Sequence, residues 1–340
     1  MSPVREADAC TLVERVFMRA GIEQSMAQDA ARMLTLTEML GVTTHGLLRV
    51  IDYVTRIREG GINPLAQPDM QAVAPSLIRV DGHNGLGPAV ALRAMRSAMD
   101  AARNTGMAAS FCRNSTHLGA LAPLLYTAAQ EGFAAIFTTN TSPMIAPVGG
   151  TTPVLGNTPF GIAIPDPDGL GSPVILDMAL SVAARSKVRQ AAAAGRSIPE
   201  TWATDAGGIP TTDAAEAMKG MMQAIGGSKG ANLSLCLDLL AGGLSGAAML
   251  SQIPNANLNP AAQANVGHMF ILVDVARLLP QAAMSARLAD ARDLITASPP
   301  LDPAVPIRLP GQRAVAALNA ARLQGFTPAP GIMDKLADLA

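Results

Sequence analysis

The glycines of one turn set the strongest limit on what this chain can fold into. A strand read at 77–80 runs into the turn 81–88, and a helix follows through Ala102. Within the turn the glycines fall as Gly82-x-x-Gly85-x-Gly87. A dinucleotide-binding strand–turn–helix unit needs G-x-G-x-x-G, so that the backbone turns tightly and then approaches a pyrophosphate. Here the spacing is reversed, and no other strand is followed by the fingerprint. The chain therefore reads as α/β without a standard Rossmann domain.

Composition narrows the class further. Apolar residues make up 49% and charged residues 15% of 340, which excludes a disordered chain and suits more than one lobe. Only ten residues are aromatic against 18 methionines, so the core is aliphatic with Met as filler. The net charge of −1 gives no basic face for nucleic acid. Cys10, Cys112 and Cys236 are isolated and odd in number, which reads as reduced thiols in the cytoplasm. The N-terminal residues lack an apolar signal-peptide core. The apolar stretch 233–250 carries Asp238 and several glycines, so it reads as a buried helix ending in a tight turn, not a membrane span.

Periodicity predicts two helices over 7–40 broken near Gly21, a helix over 44–58, and a strand at 108–112 followed by a helix over 118–131. It also predicts a strand at 133–138, loops and short strands over 140–173, a helix over 178–195, a strand at 270–275, a helix over 278–295 and a helical tail from Ala314. We divide the chain into a helical lobe, 1–75 with 305–340, and an α/β region, 76–304.

Three clusters carry the chemistry. In Thr44-His45-Gly46-Leu47-Leu48-Arg49, a helix capped by Thr44 would put His45 and Arg49 on one face. Histidine suits proton removal from an alcohol, and the arginine fork suits a carboxylate. The alternative is an ordinary solvated first turn. In 113–119, Ser115, Thr116, His117 and Gly119 open a helix whose N-terminus could meet phosphate, or simply form a Ser/Thr cap. In 226–230, Gly226-Gly227-Ser228-Lys229-Gly230 resembles a phosphate cradle but lacks P-loop spacing.

Taken together these stretches resemble the malate/L-lactate dehydrogenase-like family, which includes sulfolactate and ureidoglycolate enzymes. The likeness runs through GVTTHGLLRV (41–50), DGHNGLGPAVA (81–91), RNSTHLGA (113–120) and APVGGTTPVLGNTPFGIAIP (146–165). It continues in ILDMALSVAARSKV (175–188), IPETWATDAGGIPTTD (198–213), GGSKGANLSLCLDLLAGGLSGA (226–247) and LPGQR (309–313). The resemblance implies a mixed α/β (α+β) fold with a largely antiparallel sheet, and an NAD- or NADP-dependent 2-hydroxy acid dehydrogenase (EC 1.1.1 class). It also implies a cytoplasmic homodimer acting on a small 2-oxo or 2-hydroxy acid, without metal, membrane or nucleic acid.

By the same resemblance His45 is the proton carrier, with Thr44 as relay and His117 as second candidate, and Lys187 joins the catalytic set. Arg49, Asn157 and Thr158 fall at substrate positions. His117, Leu118, Gly119, Ala120, Leu121, Asp177, Met178, Ala179, Lys229, Pro310, Gly311 and Arg313 fall at cofactor positions. The terminal helices, through Val13, Phe17, Leu318 and Leu323, are expected to pair subunits.

Departures from the pattern are Thr44 for serine, Pro123-Leu124 for an aromatic pair, Asn157-Thr158 for the reverse order, and Ser228 for tyrosine. The alternatives are a cyclic ketimine reductase acting on pyrroline- or piperideine-2-carboxylate, a zinc hydrolase, and a non-catalytic nucleotide-binding relic. The ketimine enzymes carry aspartate where Lys187 stands and lack the segment seen at Trp202 to Asp205. The histidine spacings do not support zinc.

Overall fold

The computed structural model describes residues 3–169 and 172–340. The chain begins with a helical hairpin, α1 (Glu6–Arg19) and α2 (Gln24–Met39). Val13, Val16 and Phe17 recur at helical spacing and are buried, and Gly21 turns the chain at φ +95°. Glu23 caps α2 by accepting from the backbone N–H groups of Ser25 and Met26. Helix α3 spans Leu48–Arg58.

Strands β1 (Asp69–Ala74) and β2 (Leu77–Asp81) lead through α4 (Gly87–Thr105) to β3 (Met107–Ser115). Next come α5 (Ala122–Gln130), β4 (Phe133–Thr139), β5 (Phe160–Ile164) and β6 (Val174–Met178). Helices α6 (Arg185–Ala193), α7 (Ala214–Lys219) and α8 (Ser228–Asp238) precede β7 (Val266–Asp274). The chain ends in α9 (Gln281–Thr296), α10 (Gln312–Gln324) and α11 (Ile332–Leu339).

The seven strands form one sheet in the order β1-β2-β3-β7-β4-β5-β6. Only β2 and β3, joined by the α4 crossover, are parallel; every other pairing is antiparallel. The largely antiparallel sheet without a Rossmann domain is thus as the sequence led us to expect. The last strand in the sequence, β7, lies in the middle of the sheet and joins β3 to β4.

One core runs through α1 to α5, the sheet and the C-terminal helices, with Phe137 and Phe270 edge-to-face at 5.0 Å. A smaller core of Ile145, Leu155, Val188, Ile198 and Met222 lies beneath α6 to α8. No helix among the described residues is long and apolar enough to cross a membrane.

Several local expectations are corrected. The helix expected over 44–58 is a 3-10 turn, Thr43–His45, then α3, because Gly46 at ψ −129° breaks the helical path. The helix expected over 178–195 starts only at Arg185, since Met178 still pairs in β6. The helix expected from 118 begins at Ala122. The stretch after 233 is not buried all round: Leu233, Leu240 and Leu244 are exposed along α8 and the wider π turn that continues it, Leu239–Gly243. The terminal helices do not leave Val13, Phe17 and Leu318 for a partner. All three are fully buried, because α1 packs on α2 and α11 and α10 packs on α2 within the same chain; of the four, only Leu323 is exposed.

Three strands are pinned by one buried histidine. His268 on β7 is hydrogen-bonded through Nε2 to the Ser115 hydroxyl on β3 (2.8 Å) and through Nδ1 to the Thr139 hydroxyl on β4 (2.7 Å). Burial holds its pKa down at about 3. The native state therefore excludes a proton that the unfolded chain accepts near pH 6.5. This contribution is complete above pH 6.5 and is lost as pH falls from there towards 3. Urea unfolding of wild type and His268→Asn at pH 8, 6 and 5 tests it. The variant should be less stable at pH 8, and its slope of stability against pH below 6.5 should be shallower by about 1.4 kcal/mol per pH unit. Equal slopes would remove His268 from the acid response.

Candidate active site

The glycine-spaced turn 81–88 serves packing, not phosphate. A Cβ on Gly82 would lie 2.8 Å from the Asn114 carbonyl oxygen, and one on Gly87 would overlap the His117 carbonyl and lie 2.5 Å from that of Thr116. The Thr116 hydroxyl accepts from Gly87 N–H and donates to the Gly85 carbonyl, both at 2.9 Å. The turn thereby clamps the segment that carries His117 beyond the end of β3.

His117 meets α3 there. The Tyr53 hydroxyl lies 2.8 Å from His117 Nδ1, and Tyr53 is buried. Among the described residues it has no other hydrogen-bond partner, and a buried hydroxyl proton needs an acceptor. Tyr53 therefore donates to Nδ1, and the proton of neutral His117 sits on Nε2. Arg49 and Tyr53 are four residues apart on the same face of α3, which is the signal by which the sequence could have given Tyr53.

His45 completes the cluster, its ring centroid 5.7 Å from that of His117. Its Nδ1 pairs with the Thr44 hydroxyl at 2.9 Å. His45 and Arg49 are not joined by a shared helix face as expected; instead Arg49 Nε donates to the Thr44 carbonyl at 2.9 Å, and Arg49 Nη1 to Asp52 at 2.9 Å. Arg49 Nη2 enters neither bond. Burial, and then the Arg49 charge, hold the His45 pKa down at about 4. Burial followed by Arg49 and His45 holds His117 well below its usual range, while burial raises Tyr53. Both histidines are neutral at pH 7.

A second group adjoins this one through the segment 117–121. The Asp177 carboxylate accepts from Ala122 N–H at 2.8 Å and so occupies the N-terminus of α5. The phosphate expected at that helix end would meet a carboxylate, and this reading is corrected. Protein atoms crowding Asp177 push its pKa up to about 6, yet the residue remains open to solvent. Beside it, Ile175 N–H donates to the Pro310 carbonyl (3.0 Å), and Gly311, at φ +82°, packs against the Ile175 backbone. The segments around 177 and 309–313 therefore meet, with Arg313 exposed at the start of α10. Leu118 and Leu121 are buried, Ala120 nearly so, and Gly119 takes φ +91°. Met178 pairs with Phe160, and Ala179 follows half-buried.

Asn157 lies next to this group: its carbonyl accepts from Leu180 N–H, and its Oδ1 accepts from the Thr141 hydroxyl. Thr158 is fully buried, its hydroxyl bonded to that of Ser234 on α8. Lys187 extends over the Trp202 ring at 6.0 Å. Lys229 is exposed in the first turn of α8, which no side chain caps. There a Cβ on Gly226 or Gly227 would meet nothing within 4 Å, so free helix N–H groups, Lys229 and open space fit an anionic phosphate. Neither lysine enters the hydrogen-bonded cluster around His45 among the described residues.

Residues 4–337 match the malate/L-lactate dehydrogenase family. The Δ1-pyrroline-2-carboxylate reductase of Ancylobacter novellus is 34% identical over 321 residues, covering 94% of this chain and 92% of the relative. The (2R)-3-sulfolactate dehydrogenase (NADP(+)) of Chromohalobacter salexigens is 36% identical over 278 residues, 81% of each chain. The solved sulfolactate dehydrogenase of Methanocaldococcus jannaschii superposes with a TM-score of 0.89 at 28% identity, over 99% of this chain and 96% of that one. The fold with β7 inserted between β3 and β4, the paired histidines beside Arg49, and a match over nearly the whole length agree: this chain belongs to the malate/L-lactate dehydrogenase family of oxidoreductases.

Proposed function

We propose that this protein interconverts a small 2-hydroxy acid and its 2-oxo acid with NAD or NADP, and that it works as a cytoplasmic homodimer. One observation carries the reading: two neutral histidines, one held in a defined tautomer by Tyr53, adjoin an arginine whose Nη2 is uncommitted among the described residues. The substrate carboxylate pairs with Arg49. The bound nicotinamide supplies the hydride acceptor for C2. His45 takes the hydroxyl proton at Nε2, while its Nδ1–H donates to Thr44. Carboxylate binding offsets the Arg49 charge and so raises the His45 pKa towards the range useful for proton transfer. His117, with its proton on Nε2, donates a hydrogen bond to the substrate oxygen and is the weaker candidate for base.

Leu118 to Leu121, Asp177 to Ala179, Pro310, Gly311 and Arg313 line the cofactor cleft, with Lys229 at its phosphate end. Since the Asp177 carboxylate fills the end of α5, that side would take a base or ribose of the dinucleotide and not its phosphates. Asn157 reaches the substrate, and Thr158 supports it through Ser234.

A second reading, reduction of a cyclic ketimine, is favoured by the reductase relative that spans 94% of the chain. Lys187 facing Trp202 favours the hydroxy-acid branch, since the ketimine enzymes carry aspartate there. A panel of pyruvate, oxaloacetate, sulfopyruvate and Δ1-pyrroline-2-carboxylate, each with NADH and NADPH, separates the two. Turnover of the imine alone would overturn the first reading.

Substitution tests the roles. His45→Ala should lower kcat by about 10²–10⁴-fold with dinucleotide affinity unchanged, the usual scale for acid–base catalysis. If His117→Ala abolishes turnover and His45→Ala does not, the two roles exchange. Arg49→Lys retains the charge but loses the planar fork. KM for the acid should rise about tenfold or more, from a contact worth about 1.5–3 kcal/mol; an unchanged KM would remove Arg49 from substrate binding. For the dimer, the exposed leucines along α8 supply a surface that the terminal helices do not. Sedimentation at micromolar concentration should give a dimer, and Leu240→Glu should dissociate it. A fully active monomer would refute the assembly.

A further inference from the structure

Glu38 is buried near the end of α2, 5% exposed, and forms no ion pair among the described residues. Its Oε2 accepts from the backbone N–H of Leu47 at 3.0 Å. Leu47 heads α3, a helix that no side chain of its own caps. An acceptor from a different helix thus does the work of an N-cap, and its negative charge lies where the helix dipole favours it. Between the two ends of this bond lie Thr44 and His45.

The turn is shaped to admit the carboxylate. A Cβ on Gly46 would overlap Glu38 Oε2 and lie 2.9 Å from the Glu38 backbone nitrogen. Backbone bonds tie the other side: Gly41 N–H to the Glu38 carbonyl (2.9 Å), Val42 N–H to that of Thr37 (3.1 Å) and His45 N–H to that of Val42 (2.9 Å). Beyond Gly46, Arg49 N–H bonds to the Gly46 carbonyl at 3.0 Å. The Glu38 bond therefore fixes the backbone at the joint between the 3-10 turn that carries His45 and the helix that carries Arg49, alongside the bond from Arg49 Nε to the Thr44 carbonyl. Burying a carboxyl is costly, and here burial raises its pKa with only the Leu47 N–H acting against it. A fold that needed only packing at this position would be better served by leucine or methionine.

We propose that Glu38 is a positioning residue for the dehydrogenase reaction: through the Leu47 amide it holds His45 and Arg49 at the spacing that lets one substrate meet both. The proposal rests on the reading of His45 as proton carrier. What acts is the oxygen acceptor, so glutamine can replace glutamate and alanine cannot.

The test compares Glu38→Ala, Glu38→Gln, Thr37→Val and His45→Ala in the full-length protein. It uses the best substrate of the four-member panel and measures kcat, KM, dinucleotide Kd, Tm and hydrogen exchange at the Leu47 amide. Thr37 is a buried neighbour whose hydroxyl donates to the Met33 carbonyl, so Thr37→Val reports general loosening of α2. Glu38→Ala should speed Leu47 exchange and lower kcat by about 10- to 100-fold, the scale expected for a misplaced reacting group, with dinucleotide Kd unchanged. Glu38→Gln should keep Leu47 protected and kcat within about threefold of wild type. Thr37→Val should lower Tm without that loss of kcat.

The proposal is overturned if Glu38→Ala turns over as fast as Thr37→Val, or if Glu38→Gln is as slow as Glu38→Ala while Leu47 stays protected. Full turnover by His45→Ala would instead overturn the His45 reading, and this is distinguishable because Leu47 exchange reads the Glu38 bond independently of activity.

Discussion

Everything at the site depends on how closely two backbones approach. The turn 81–88 lies against 113–117 at distances that leave no room for side chains on Gly82 or Gly87, and the Thr116 hydroxyl bonds twice across the gap, to Gly85 and Gly87. That contact joins the start of α4 to the end of β3. It sets where the chain emerges from the sheet, and hence where His117 stands. Only then can Tyr53, 64 residues earlier, reach the ring and fix its tautomer. A side chain at either glycine would force the segments apart.

The electrostatics are set by burial more than by pairing. His45, His117 and His268 all have pKa values lowered chiefly by desolvation, and Arg49 lowers the first two further. The consequence differs with location. At His268 neutrality satisfies two hydroxyls and ties β3, β7 and β4 together. At His45 it leaves a basic nitrogen on a half-exposed ring beside an arginine. One physical cause thus serves stability in the sheet and reactivity at its edge. Asp177 shows the opposite sign, a carboxyl pushed up to about 6 by the same desolvation.

Such a site also accounts for the mixture of activities among similar proteins. A 2-oxo acid and a cyclic 2-imino acid both place a carboxylate next to the carbon that gains hydride. The roles proposed for Arg49 and His45, with a nicotinamide as hydride donor, would serve either. On the proposed reading, the difference between the two would lie in the side chains that face the rest of the substrate, among them Asn157, which is held by Thr141.

The sequence by itself determined the exclusion of a Rossmann unit, the class of fold and the main helices and strands, because these follow from glycine spacing, from the family resemblance of its short motifs and from local periodicity. The helical hairpin around Gly21 and most strands were legible for that reason. Helix starts were not: the breaks at Gly46 and before Ala122 depend on Glu38 and Asp177, acceptors 9 and 55 residues away. Nor did the sequence show that the reversed glycines serve packing, that α8 leaves leucines exposed, or that the terminal helices cover each other within one chain. Tertiary structure decided these, together with the pairing of Tyr53 with His117, because each is a contact between segments distant in the chain. Periodicity marks which face of a helix is apolar, but only the assembled fold determines what that face meets.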